Sequence, residues 1–277
     1  MIRSLWIAKT GLDTQQTNLD VITNNLANSQ TTAYKKFRPV FADLMYQNLR
    51  ANGSSESVGS GVNRFVSDAV SVPSGLSIGN GSRVVSTQRI NSQGAVVRSE
   101  NPLDLAIKGD GYFVIAPKYW ESGEVAYTRA GNFMRDREGY VVTAAGDYVA
   151  GVDDGPIQIP ETASSVVIDE NGVVTYYEES LIDGIYAGQI KTVNFVNPAG
   201  LVSSGEGLLS ESASSGEPIA GIAGEGGFGA LMQYFTEQSN VNIAEELVSL
   251  IAAQRAYEIT TRSISASDSM LQKLGQL

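Results

Sequence analysis

The residues best placed to do chemistry are three acidic pairs, Asp153-Asp154, Asp169-Glu170 and Glu178-Glu179. Neighbouring carboxylates supply the hard oxygen ligands that hold a divalent cation, and two brought together across a fold can act as acid and base in glycoside hydrolysis. None of the pairs sits in a loop with EF-hand spacing. Each falls between β-prone runs, so each reads as a solvated turn. Gly109-Asp110-Gly111 has the start of a dinucleotide-binding loop, but Val114 stands where the third glycine belongs and an aromatic run follows. That pattern predicts a tight hairpin turn. The chain contains no histidine and no cysteine, which removes the usual zinc sites, thiol catalysis, Ser-His-Asp triads and haem ligation by those residues. The sequence therefore assigns no catalytic residue, no cofactor and no metal site.

What the sequence offers instead is a surface. Leu5, Leu12, Leu19 and Leu26 form one apolar line of period seven, and Ile243, Leu250, Tyr257, Ile264 and Leu271 form another at the opposite end of the chain. A strict heptad keeps a side chain on one seam of a supercoiled helix, so the two ends are predicted to pair as helices. The companion line of the C-terminal segment is read as Leu247, Gln254, Thr261 and Asp268, and the N-terminal companions are equally half-polar. Apolar residues also fall on the back faces, Ile7 and Val21 on the first helix, Val248 and Ile259 on the second. An apolar residue facing away from the seam asks for a further partner. Burial along two seams falls short of the entropy cost of ordering both segments, so a packed array of such helices is the expected stable state. The nine seam residues are the candidate assembly interface.

Length and charge agree with that arrangement. At 277 residues with 42% hydrophobic content, the chain holds one large domain or two to three small ones. Residues 101–240 carry 20 acidic against 6 basic side chains, a net −14, whereas 1–50, 51–100 and 241–277 carry +3, +1 and −1. An acidic middle between nearly balanced ends argues against a nucleic-acid partner and fits a solvated outer region around a low-charge core. No run of 18 apolar residues predicts a membrane helix. The first 28 residues are amphipathic and carry Lys9, Asp13 and Asp20, unlike a cleaved secretory signal. Absence of cysteine suits a chain that reaches an oxidising compartment unfolded.

The first helix is expected to end near Asn28 in a left-handed residue. Phe41, Leu44, Met45 and Leu49 keep helical spacing for a short amphipathic piece, after a basic cluster at Lys35, Lys36 and Arg38. Residues 51–81, rich in Gly and Ser, read as a connector or extended arm. From Val84 the period becomes two, with Tyr112–Ile115, Tyr140–Thr143, Val166–Ile168, Val173–Tyr177 and Ile190–Val196 as strands, and turns at Glu138-Gly139 and Asn171-Gly172. Residues 205–229 read as a flexible glycine-rich return path. Asn242 with Glu245 three residues on predicts a capping box, with Glu246 beside it at the positive end of the last helix. The expected fold is α+β: terminal helices paired as a coiled-coil-like core over 1–36 with 237–277, a connector over 37–82 with 218–236, and an antiparallel all-β outer domain over 83–217.

Asn24-Asn25-Leu26-Ala27-Asn28 with Thr32-Ala33-Tyr34-Lys35, Asp104-Leu105-Ala106-Ile107-Lys108-Gly109-Asp110-Gly111-Tyr112-Phe113, Tyr127-Thr128-Arg129-Ala130-Gly131-Asn132-Phe133, and the run Ser239 to Leu277 with Gln254-Arg255-Ala256-Tyr257-Glu258 together resemble the bacterial flagellar rod and hook protein family over nearly the whole chain. The opening Met1 to Leu12 and Ser71-Val72-Pro73-Ser74-Gly75-Leu76 are most similar to its distal-rod members. Ala33 stands where the family usually has glycine, so a local departure of the backbone is expected. The resemblance implies a structural subunit exported unfolded through the flagellar export apparatus and assembled helically around a channel. Its implied partners are copies of itself, proximal-rod and hook subunits, and the surrounding basal-body rings, in a rod spanning the periplasm. A hook or proximal-rod subunit is the nearest alternative, and an enzyme or carbohydrate-binding β protein with terminal coiled coils the remaining one.

Overall fold

The computed structural model describes residues 2–50, 76–116, 125–153, 155–178 and 183–275. Most of the connector, with the Ser71–Gly75 part of the distal-rod motif, and Asp154 and Glu179 of the acidic pairs lie outside these residues. The chain divides into two compact units, one of residues 1–23, 38–88 and 247–277, the other of 24–37 and 89–246. The architecture is the expected α+β, two terminal helices with an antiparallel β region between them in sequence.

In the first unit, helix α1 (Ile2–Ala27) as far as Thr23 and helix α2 (Ile243–Leu274) from Leu247 onward pack together, and a methyl added at Gly11 would lie 3.8 Å from Thr260 Cγ2. Two antiparallel strand pairs accompany them, Phe37–Asp43 with Ser82–Arg89 and Gln47–Arg50 with Leu76–Ile78. The segment expected as a short amphipathic helix is thus β. Pairing with Ser82–Arg89, a contact far off in sequence, outweighs the helical spacing of Phe41, Leu44 and Met45. Arg3 donates to Ile78 O at 3.3 Å and to Asn80 Oδ1 at 3.2 Å, tying α1 to the strands. Gly81, at φ +108, lies so close to α1 that a Cβ would stand 2.0 Å from Thr10 Oγ1. Only glycine fits there.

The second unit is built around the strand Tyr112–Ala116, buried at all five positions. Phe113 and Ile115 enter a core with Leu105, Phe133, Val149 and Ile159, while Tyr112 and Val114 enter a second with Tyr127, Val193 and Phe195. Period two thus feeds two cores from one strand. This strand pairs antiparallel with Ala126–Thr128, Tyr148–Val149 and Thr192–Asn194. A separate meander joins Ala163–Ile168, Val173–Glu178 and Ile185–Gln189, its first turn at Asn171-Gly172 as expected.

Two local expectations fail here. Gly109-Asp110-Gly111 is not a hairpin turn: Leu105–Lys108 pairs with Ala230–Gln233, so the turn carries the chain from one sheet into the next. Residues 205–229 are not a featureless path. Val202–Gly205 and Leu208–Ser210 form a hairpin whose turn places Glu206 and Gly207 at φ +53 and +76, and Ile219–Gly221 pairs with Thr192–Asn194. The glycines supply turn geometry.

Candidate functional site

Of the nine seam residues, Leu5, Leu12, Leu19, Leu26, Leu250, Tyr257, Ile264 and Leu271 are half-buried and Ile243 is exposed. The line expected to accompany the second seam, Leu247, Gln254, Thr261 and Asp268, is exposed throughout. The covered companion is instead Ala253, Thr260 and Ser267, also seven apart. Thr260 is the one that lies against Gly11, and all three small side chains carry little apolar signal, which is why an apolar count passes over them. In α1 the fully buried side chains are Thr14, Ile22 and Asn25, each beside the leucine line rather than on it. Trp6, Val248, Ile251, Ile259 and Met270 stand 50–68% exposed. Such residues form apolar helix faces with no cover of their own.

Inside the second unit the motif residues of both chain ends meet in one buried polar junction. Glu237, 1% exposed, is its hub. Its Oε1 takes the Lys35 ammonium and the Gly94 N–H at 2.9 Å, its Oε2 takes Arg129 Nε at 3.0 Å, and its carbonyl accepts from Ala33 N at 2.8 Å. Arg129 also donates to Gly109 O at 2.6 Å and Gly111 O at 3.2 Å, which holds the sheet-changing turn. Lys35 donates further to Ser92 O at 2.9 Å. Asn240 accepts from Lys36 N at 2.8 Å and donates to Ile90 O at 2.9 Å. Asn25 acts as a false backbone, accepting from Phe37 N at 3.0 Å and donating to Phe37 O at 2.9 Å.

Burial lowers the pKa of Lys35, with the charges of Arg129 and Arg89 acting the same way and Glu237 opposing them. Burial raises Tyr34, aided by Glu246, and raises Tyr112. A carboxylate shared by two cations and a backbone N–H is a strut: three of its four acceptor positions are engaged and both cations favour its charged form. The sequence flagged Lys35 as one of a basic cluster. Glu237 sits in an unremarkable strand, and only the resemblance motifs drew attention to Asn25, Arg129 and Asn240.

The remaining chemical candidates lie apart from this junction. Asp153, Asp169 and Glu170 are exposed, and Glu178 accepts from Thr162 Oγ1 at 2.7 Å. Among the described residues no three acidic side chains gather as metal ligands would, and no helix is long and apolar enough to cross a membrane.

The helix α2 opens at Asn242 as expected, but the cap is one-sided rather than a box: Asn242 Oδ1 accepts from Ala244 N at 3.1 Å, and among the described residues Glu245 makes no return bond. Helix α1 ends at Ala27, beside Asn28 as expected, but in a different conformation. Asn28 is not left-handed; its side chain donates back to Asn24 O at 2.9 Å, and the left-handed residue is Ala33, at φ +56. The backbone there does not depart to avoid the strain.

Three family models match this chain. Residues 5–35 match one described as flagella basal body rod protein, 106–176 the flagellar hook protein FlgE/F/G D1 domain, and 232–277 the flagellar basal body rod FlgEFG protein C-terminal. The chain is 44% identical over 277 residues to the flagellar basal-body rod protein FlgG of Buchnera aphidicola from Acyrthosiphon pisum, covering both chains completely. It is 40% identical to the protein of that name from Caulobacter vibrioides, over the whole of this chain and 99% of the relative. For Bacillus subtilis the identity is 38%, again over 100% and 99%. The matched segments at the two ends contain all nine seam residues, and the FlgEFG C-terminal match contains Glu237.

Proposed function

This chain belongs to the FlgG family of flagellar basal-body rod proteins, and we propose that it is a structural subunit of the distal rod, assembling helically through its terminal helices. The observation that carries the mode of assembly is the pair of helices whose seams are half-covered and whose outer faces leave Trp6, Val248, Ile251 and Ile259 exposed. In a single chain these apolar atoms meet water; in a helical array each face finds the next copy. The terminal segments 1–36 and 237–277 act as the packed core, 37–82 with 218–236 as the connector, and the acidic 83–217 as the outer domain. The role is mechanical rather than catalytic. Copies of the chain are the main partners, with proximal-rod and hook subunits at the two ends of the rod, rings around it, and the flagellar export apparatus delivering the subunit.

Leu250→Ala and Glu178→Ala test this reading. Truncating a Leu on a seam that becomes buried costs about 2–5 kcal/mol, repeated in every subunit, while a half-exposed carboxylate held, among the described residues, only by Thr162 contributes about 0–1 kcal/mol. Leu250→Ala is expected to abolish motility or shorten rods while the monomer keeps its β circular dichroism, and Glu178→Ala to leave motility normal. Normal motility in the first, or loss in the second, places the assembly core elsewhere.

A further inference from the structure

Within the second unit, the segment following α1 and the hairpin Val202–Ser210 border a groove of about 570 Å³. Lys35, Arg89, Arg129 and Tyr112 line it. Glu237 engages two of these cations, Lys35 and Arg129. Arg89 is placed differently. It is only 8% exposed, yet it donates to neutral acceptors, Nε to Asn91 Oδ1 at 2.9 Å and one terminal nitrogen to Pro198 O at 2.7 Å. Among the described residues no carboxylate pairs with it. A guanidinium taken out of water without a counter-charge carries a desolvation cost that an arriving carboxylate would offset, and its planar fork suits a bidentate grip. Tyr112, which lines the same groove and keeps its proton, adds a hydroxyl donor.

We propose that this groove receives a carboxylate side chain from a neighbouring copy of the chain, with Arg89 as its charged partner. The inference rests on the assembly reading above. Charge complementarity selects a second copy as the source: three cations line the groove against one exposed carboxylate, Glu206, and Glu237 engages only Lys35 and Arg129, which leaves Arg89 as the unmatched charge, while residues 101–240 carry a net −14 and present Asp169, Glu170, Glu217 and Glu225 exposed. The groove therefore adds a polar, orienting contact to an assembly driven by apolar helix faces.

The experiment measures the critical concentration for polymerisation of the full chain at low and high salt. It compares the wild type with Arg89→Met, Asn91→Asp and, as control, Arg137→Met at an exposed position. Asn91→Asp gives Arg89 a carboxylate of its own, which competes with the incoming one and leaves the monomer's melting temperature unchanged or raised. Both groove variants are expected to raise the critical concentration about tenfold at low salt, with the gap to wild type narrowing at high salt as charges are screened. Arg137→Met is expected to match the wild type. A wild type that polymerises beside an equally competent Asn91→Asp overturns the groove alone, as does an Arg89→Met deficit that is the same at both salts. A wild type that does not polymerise overturns the assembly reading and the groove with it.

Discussion

Ala33 shows how far a single residue's conformation can be set by its surroundings. Its φ of +56 is a region that L side chains avoid, and the N–H bonded to Glu237 O at 2.8 Å holds it there. From sequence the strain was expected to move the backbone, but the junction of Lys35, Glu237 and Arg129 overrides one unfavourable dihedral. Left-handed geometry costs a non-glycine roughly 1–2 kcal/mol, partly offset because glycine adds entropy to the unfolded chain. Ala33→Gly is therefore expected to raise the urea midpoint by the equivalent of about 0.5–1 kcal/mol; a lower midpoint would show that no strain is stored there. The tyrosines give a pH dependence. Burial holds Tyr34, Tyr112 and Tyr127 above their ordinary 10.0. The folded chain then keeps protons that the unfolded chain releases, so this share of stability is whole below 10.0 and lost as pH climbs towards the folded values. Lys35, lowered from 10.5, works in the opposite sense, gaining stability as pH rises through its folded value. Tyr112→Phe should flatten the loss measured by urea denaturation between about pH 10 and 11, and an unchanged slope would remove Tyr112 from the account.

At the scale of elements, what the sequence shows depends on how large the side chains are. The period of seven on α2 was legible because Leu250, Tyr257, Ile264 and Leu271 are bulky, and so were the antiparallel strands with their Asn171-Gly172 turn. The covered companion line was not, because Ala253, Thr260 and Ser267 are small, which leaves no apolar mark. The same blindness applies to the junction, where Asn25 and Glu237 are polar residues doing the work of a core. Thr260 of α2 lies against Gly11 of α1, and the two helices respond differently to added volume. A Cβ at Gly11 would meet Thr260 Cγ2 at 3.8 Å, an ordinary contact. Gly11→Ala should thus stabilise α1 by roughly 0.5–1 kcal/mol through helix propensity. Ala253, 4% exposed, has no such room, and Ala253→Leu should cost about 1–3 kcal/mol by overpacking. Helical circular dichroism through a urea titration reads both; equal effects of the two substitutions would mean that the covered face is loose.

For the whole molecule, the division into units carries a prediction that the heptads alone did not contain. The boundary crosses α1 between Thr23 and Asn24 and α2 between Glu246 and Leu247. On one side, Asn25 is bonded to Phe37, Lys35 to Glu237 and Asn240 to Lys36, with the flanking chain secured to buried β structure. On the other, the helices are covered along narrow faces and leave Trp6, Val248, Ile259 and Met270 more than half exposed. Local opening costs least where few apolar contacts must be broken. In dilute monomer, amide hydrogens of residues 2–23 and 247–274 should exchange quickly, while 24–37 and 237–246, although also near the chain ends, should be protected like the β unit. In assembled rods protection should spread to both helices. The step in protection at Asn24 and Glu246 is the discriminating result. Uniform exchange from residue 2 to residue 36 would mean that the junction does not anchor the helix ends, and strong protection of both helices in the monomer would mean that the exposed faces need no neighbour.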